Sequence, residues 1–223
     1  MSRSVSFETA PGAKAAAVKA QVEKDCMDES LIALLESYLD EQISTNVIDE
    51  EANMTLLKLY TIYPNAAGQQ QARAAQILVK GLMTLPSNFF LGASYLVPDS
   101  LRKTKEIAEL LQAGQLLQTC RFPDFWKLDL AGAKKVPGFE AAVRAFVVST
   151  IGRSHDVVSA AFAAAQLHLG SKEVEALVAA QGWTVKGSDF VVKPNADNTM
   201  RPKKFKEDIE FTDLLDTINV LSR

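Results

Sequence analysis

The sequence predicts a mainly α-helical protein: a solenoid-like run of short helices, then a winged helix with a small β-hairpin. Three observations carry that expectation. Apolar residues recur at helical spacing in segment after segment from Asp28 to Leu130; small residues, lysines and a Pro-Gly pair interrupt the pattern over Ala131–Glu140; and strand-like character first enters at Trp183, after three further helical segments. With 48% hydrophobic residues in a chain of 223, there is enough apolar material to bury a proper core.

The first helical signal is DESLIALLESYLDEQ, where Leu31, Leu34, Leu35, Tyr38 and Leu39 share one face and Asp28 or Ser30 is placed to cap it. In IDEEANMTLLKLYTIYP, Ile48 to Pro64, Asp49 is the expected N-cap, and Glu50 and Glu51 suit the positive end of the helix. Ala52, Leu56, Leu59, Tyr60 and Tyr63 form one stripe while Met54 and Leu57 lie on another side, so this helix requires neighbours on two sides. QARAAQILVKGLMTLP reads as a helix ending before Pro86, and SNFFLGASYLVP as a shorter one ending before Pro98. TKEIAELLQAGQLLQTC carries Ile107, Leu110, Leu111 and Leu117 behind a Thr104 cap, and RFPDFWKLDL is a turn into an aromatic helix. Short helices spaced about twenty to thirty residues apart stack as antiparallel pairs, although no strict repeat is visible.

A second module begins near AGAKKVPGFE. Phe139 to Ile151 is a helix with Val143, Phe146, Val147 and Ile151 inward; His155 to Leu169 is an Ala-rich helix; Ser171 to Ala180 is a third, with Ser171 as N-cap and Gly182 as its stop. Trp183-Thr184-Val185 and Phe190-Val191-Val192 flank a turn and make the hairpin. Residues 193–206 form a basic wing loop or linker, and FTDLLDTINVLSR closes with an apolar stripe of Phe211, Leu214, Leu215, Ile218 and Leu221. A lone helix of about ten residues is marginal in water, so it must dock on this chain or on a partner. The expected organisation is thus an N-terminal extension over 1–27, a helical repeat over 28–136, a winged helix over 137–195, and a basic linker with a C-terminal helix over 196–223.

A net charge of −3 argues against non-specific binding of nucleic acid or acidic membrane by the whole surface. The opening residues lack the apolar stretch of a secretory signal and no apolar run is long enough to span a membrane, so the expected location is the cytoplasm. Cys26 and Cys120 are far apart, which predicts neither a disulfide framework nor a zinc site; Cys120, at the end of an apolar run, reads as a buried inert thiol.

Chemistry is equally scarce. Asp49, Glu50 and Glu51 are consecutive, so on a helix they point about 100° apart and cannot grip one metal together. His155 and His168 have no ligand spacing around them, and GAKKVPG at Gly132–Gly138 lacks the glycine spacing and Gly-Lys-Ser/Thr ending of a phosphate loop. Asn53-Met54-Thr55 is a glycosylation sequon without meaning unless the chain is secreted. No catalytic residue, cofactor site or metal site is expected. One functional alternative survives, RNA backbone contact through Lys193, Arg201, Lys203, Lys204 and Lys206, while Glu173 and Glu175 on the third helix of the winged helix disfavour reading of DNA.

Several dispersed blocks in one order then become informative: DEEANMTLLKLYTIYP, AAQILVKGLMTLP, LLQTCRFPDFW, GFEAAVRAFV, QGWTVKGSDFVVKP and RPKKFKEDIEF. Together they resemble the family of subunit k of eukaryotic translation initiation factor 3, over roughly Asp28 to Phe211. That family is similar to the small lid subunits of the proteasome and signalosome. The resemblance implies a HEAT-like helical repeat followed by a winged helix of the PCI type. It further implies a non-enzymatic assembly subunit that contacts sister subunit l through the PCI region, gives its C-terminal helix to a multi-subunit bundle, and joins the small ribosomal subunit through the whole factor. The partner-facing residues expected on this basis are Phe211, Leu214, Leu215, Ile218 and Leu221. Residues 1–27 and the loop Asn195–Met200 depart from the family pattern, so contacts made there do not carry over.

Overall fold

The computed structural model describes residues 13–65, 69–199 and 211–222. The first half is an array of helices: α1 (Ala13–Lys24), α2 (Leu31–Thr45), α3 (Glu50–Ile62), α4 (Gln70–Met83), α5 (Phe89–Leu96), α6 (Asp99–Arg102), α7 (Lys105–Gln118) and α8 (Phe122–Phe125). Neighbours in sequence are largely neighbours in space, since α1 packs on α2, α2 on α3, and α4 on both α5 and α7. The two-sided apolar pattern of α3 is explained by its position: it touches α1, α2, α4 and α5, and buries Leu56, Leu57, Leu59 and Tyr60 completely. Asp49 caps it as expected, its Oδ1 accepting from the Ala52 N–H at 3.0 Å.

Glycine sets the closest approach in this half. At Gly114 on α7 an added Cβ would lie 2.0 Å from Cε1 of Phe90, so α5 sits on α7 only because that side chain is absent. Two caps differ from expectation. Asp28 and Ser30 organise the turn before α2, where Ser30 Oγ donates to Asp28 Oδ2 at 2.6 Å, and neither side chain caps the helix. Thr104 does precede α7, yet its hydroxyl donates back to the Leu101 carbonyl at 2.6 Å, which takes it away from the helix amides.

The second half follows the 3-10 turn Ala133–Lys135 and comprises α9 (Phe139–Ser154), β1 (Val157–Ser159), α10 (Ala160–Leu167), α11 (Ser171–Ala180), β2 (Thr184–Lys186) and β3 (Asp189–Val191). The strands form one antiparallel sheet in the order β1-β3-β2, with Val158 and Val185 on either side of Phe190. Helix, strand, two helices and a hairpin in that order make a winged helix. The sequence expectation of a helix beginning at His155 is therefore corrected: the β-branched Val157 and Val158 pair with β3, and Ser159 caps the shorter α10 by accepting from the Phe162 N–H at 3.3 Å.

The N-cap of α11 moves in the same way from Ser171 to Gly170, whose N–H donates to Glu173 Oε2 at 3.1 Å. Gly182 ends that helix with φ of 76°, the Trp183 N–H reaching Val178 O at 3.1 Å and the Gly182 N–H reaching Ala179 O at 2.9 Å. The hairpin turn is Gly187-Ser188, Gly187 taking the positive φ of 63° that such a two-residue turn requires.

The two halves share one hydrophobic core. α4 packs on α9 and α8 on α10, and the Trp126 indole N–H donates to Gln166 O at 2.8 Å across the junction. Arg144 of α9 lies over the same indole at 5.1 Å and His168 stacks beside it at 6.1 Å. The last helix, α12 (Phe211–Leu221), follows residues that lie outside the described set.

Candidate partner interface

Apolar side chains that a folded chain leaves in water are the first indication of a partner. On α12, Leu214, Leu215, Ile218 and Leu221 are exposed by 49%, 40%, 55% and 81%, and Val220 on the opposite face by 76%. Four of the five residues of the stripe read from the sequence thus stand at least 40% exposed, while the side chain of the fifth, Phe211, lies outside the described set. Phe211 begins that helix.

The chain leading to α12 is anchored on the winged helix. Asn195 Nδ2 donates to the Gly152 carbonyl at 2.7 Å and Asn198 Nδ2 to the same oxygen at 3.3 Å, closing the C-terminal end of α9, while Asn195 Oδ1 accepts from the amides of Asp197 and Asn198 at 2.9 and 3.0 Å. Arg153 pairs with Asp197 at 3.6 Å. Lys193 is exposed immediately before this knot. Arg201, Lys203, Lys204 and Lys206, the remaining basic residues singled out from sequence, lie outside the described residues.

Sequence reading missed a second apolar surface on the winged helix. β1 and β2 are both edge strands, and each carries a 54% exposed valine, Val157 and Val185; Phe162 at the start of α10 is 40% exposed, with His155 stacked obliquely at 5.7 Å. Short edge strands with unpaired main-chain groups offer both hydrogen bonds and apolar contact to another chain. α11 presents Lys172, Glu173 and Glu175 to solvent and turns Val174 and Val178 inward.

The residues weighed for chemistry do not converge. Asp49 spends one oxygen on the α3 cap and accepts from the Tyr38 hydroxyl with the other at 3.2 Å; Glu50 accepts from Ser87 Oγ at 3.1 Å; Glu51 faces solvent. The Gly132–Gly138 segment buries Ala133 and Val136 as packing, and at Gly132 a Cβ would lie 2.7 Å from a Glu106 carboxylate oxygen, an environment hostile to phosphate. Among the described residues no group of three His, Cys, Asp or Glu is arranged to hold a metal, and no helix is long and apolar enough to cross a membrane.

Cys120 corrects the expectation of a buried thiol. It is exposed, because it takes the left-handed position after α7 (φ 58°), where the Arg121 N–H returns to Leu116 O at 2.8 Å and the side chain is turned out of the apolar stripe. Asn53, the sequon residue, is 1% exposed and wholly committed to protein partners.

That commitment belongs to a buried polar cluster that linear pattern did not disclose. Gln42 and Asn53 exchange amide hydrogen bonds at 3.2 and 3.0 Å, and Gln42 Oε1 also accepts from the Asp49 N–H at 2.9 Å. Lys80, fully buried on α4, donates to the Gln42 carbonyl at 3.0 Å and to Asn46 Oδ1 at 3.2 Å. Desolvation pushes its ammonium down to about 8. Asn46 in turn lies against Gly138 at the head of α9, so the cluster reaches from α2, α3 and α4 to the junction between the halves. Each buried side chain of the cluster, Gln42, Asn53 and Lys80, finds hydrogen-bond partners within the protein, and the bonds tie α2, α3 and α4 together. The one sequence signal was a lysine inside the otherwise apolar ILVKGLM.

Comparison with known proteins agrees with this picture of an assembly protein. The model of the CSN8/PSMD8/EIF3K family matches residues 70–204. The chain is 31% identical over 186 residues to eukaryotic translation initiation factor 3 subunit K of Xenopus tropicalis, covering 81% of this chain and 84% of that one. It is 30% identical to the same subunit of Homo sapiens over the same shares, and 27% identical over 191 residues to that of Nematostella vectensis, covering 84% and 88%. On both criteria, the match to the family model and the similarity to these relatives over about four fifths of the chain, the chain belongs to the CSN8/PSMD8/EIF3K family.

Proposed function

We propose that this chain is a structural subunit of eukaryotic translation initiation factor 3, occupying the position of subunit k. It contributes to assembly of the factor and to its association with the small ribosomal subunit, in the cytoplasm and without catalysis of its own. In this reading residues 28–136 supply the helical repeat, 137–195 the winged helix that meets subunit l, and 196–223 the tail that enters a bundle of helices from several subunits.

The observation that carries the proposal is the solvent-exposed apolar stripe of Leu214, Leu215, Ile218 and Leu221, on a helix too short to be stable alone. The exposed Val157 and Val185 on the sheet edges support the contact with subunit l. The test is co-purification of the factor with a chain ending at Glu210. A strong loss of recovery is expected, and recovery at the full-length yield would refute the role given to α12.

A second reading follows from the breadth of the family, whose description also covers lid-type subunits. Mass spectrometry of proteins bound to the tagged chain separates the two: initiation factor subunits are expected, and protease-lid subunits would replace this proposal by that one. Within the factor, the basic run Lys193, Arg201, Lys203, Lys204 and Lys206 adds weak contact to RNA backbone. Affinity of the isolated chain for RNA should then fall steeply with salt and on charge reversal of Lys203 and Lys204.

A further inference from the structure

α1 buries only Val18 completely; Ala15 and Val22 are half-buried against the helices beneath. Its course alongside the N-terminal end of α3 leaves a groove of about 340 Å³. The uncharged lining consists of alanines and valines alone, Val18 and Ala52 buried and Ala15 and Val22 half-buried. Lys19, Glu23 and Glu51 stand at its edges.

The charge of this groove is negative. Lys19 and Glu23 form a loose i, i+4 pair at 4.0 Å, whereas Glu51 has no ion pair among the described residues. Asp49 also lines the groove but its carboxylate is held by the Ala52 N–H and the Tyr38 hydroxyl, so it adds negative potential without being free to turn outward. A floor of methyl groups with acid at its edge offers nothing that would orient a small polar molecule. It matches instead the recognition of an amphipathic segment whose aliphatic side chains enter the groove and whose basic residue meets the edge.

We propose that the α1–α3 groove is a docking site for a short segment of another subunit, one that lays aliphatic side chains on Ala15, Val22 and Ala52 and sets a lysine or arginine against Glu51. The groove is formed by the first helices of the array and shares no residue with α12 or the winged helix, so it is a third contact surface. The inference rests on the reading of the chain as an assembly subunit, and its test separates the two.

Ala16, exposed in the groove, is replaced by cysteine in a Cys26→Ser, Cys120→Ser chain, and maleimide labelling is compared between the isolated chain and the purified complete factor. In the factor, labelling should be at least about tenfold slower, as for a site open less than one-tenth of the time. Glu51→Lys should restore labelling while the chain still co-purifies, and where the basic residue is a lysine a carbodiimide should join it to Glu51.

Equal labelling in the factor and the isolated chain overturns the groove proposal alone. Protection already present in the dilute isolated chain assigns the groove to this chain's own residues; protection that grows with its concentration assigns it to a second copy; and protection unmoved by Glu51→Lys removes the basic partner. Each overturns the proposal. Failure of the unmutated chain to enter the factor defeats the subunit reading and the inference with it.

Discussion

Lys80 donates from a fully buried ammonium to the main-chain carbonyl of Gln42 at 3.0 Å, so a cation on α4 closes the C-terminal end of α2 with no carboxylate beside it. The carbonyls of a helix end favour positive charge, but they are neutral acceptors and do not repay the full cost of desolvation. Burial therefore holds the ammonium near 8, well below its ordinary value. In the unfolded chain Lys80 keeps its proton up to about 10.5, so between pH 8 and 10 the unfolded state binds more protons and stability rises with pH. Above 10 the trend reverses. Burial, with Asp49 beside it, pushes the Tyr38 phenol up to about 12, and burial with Glu36 raises Tyr60 in the same direction, so the unfolded chain ionises its tyrosines first.

Urea unfolding at pH 7, 8.5, 9.5 and 10.5 should show this maximum, with a rise on the order of 2 to 3 kcal/mol attributable to Lys80. The rise should vanish in Lys80→Met, which keeps the apolar stem and removes the charge. An unchanged alkaline rise in that variant would rule out Lys80 as its source.

The reciprocal amide pair of Gln42 and Asn53 makes a second prediction. Asn53→Ala leaves the Gln42 amide buried with its donor unpaired, at a cost of about 2 to 3 kcal/mol, whereas replacing both residues by alanine should cost less than the sum of the two single alanine changes. A double-mutant cycle by chemical denaturation measures the coupling, and strict additivity would show that the pair does not act as a unit.

Gly114→Ala tests the packing of α5 on α7. The new methyl group would meet the Phe90 ring at 2.0 Å, so the ring, buried at 3% exposure, must shift within the core to admit it. Destabilisation of about 3 kcal/mol is expected, partly relieved in Gly114→Ala with Phe90→Leu, as read by thermal unfolding. At Gly187 an added Cβ meets nothing within 4 Å, but the backbone there holds a φ of 63° while Ser188 does not share it, a turn that takes glycine first, so Gly187→Ala should cost about 1 kcal/mol through backbone strain alone.

The stripe on α12 separates folding from assembly. Leu215→Asp with Ile218→Asp should leave the melting temperature of the isolated chain unchanged within error, because both side chains already meet solvent, yet abolish recovery of the factor. A large fall in melting temperature would place the stripe on this chain's own core.

Much of the fold was legible because helix periodicity is a local property. Each apolar stripe from Leu31 to Leu117 and the caps at Asp49 and Gly182 could be read from residues within one or two turns. β1 was not legible: Val157-Val158-Ser159 is short, lies beside an alanine run that favours helix, and becomes a strand only when β3, more than thirty residues later, supplies its hydrogen bonds. Cys120 failed for a related reason, since the left-handed residue that ends α7 reverses the side-chain direction that the preceding stripe implied.

The candidate surfaces divide along the same line. By itself the sequence determined the helical class, the winged helix, the family resemblance and the amphipathic C-terminal stripe, all of which depend on residue spacing along one segment. Only the tertiary structure decided that Leu214, Leu215, Ile218 and Leu221 stand in solvent, that Lys80, Gln42 and Asn53 meet in the interior, and that α1 and α3 leave an acid-edged groove. Burial and side-chain partnership are set by which segments approach one another across tens of residues, and periodicity within a segment says which face is apolar without saying what, if anything, covers it.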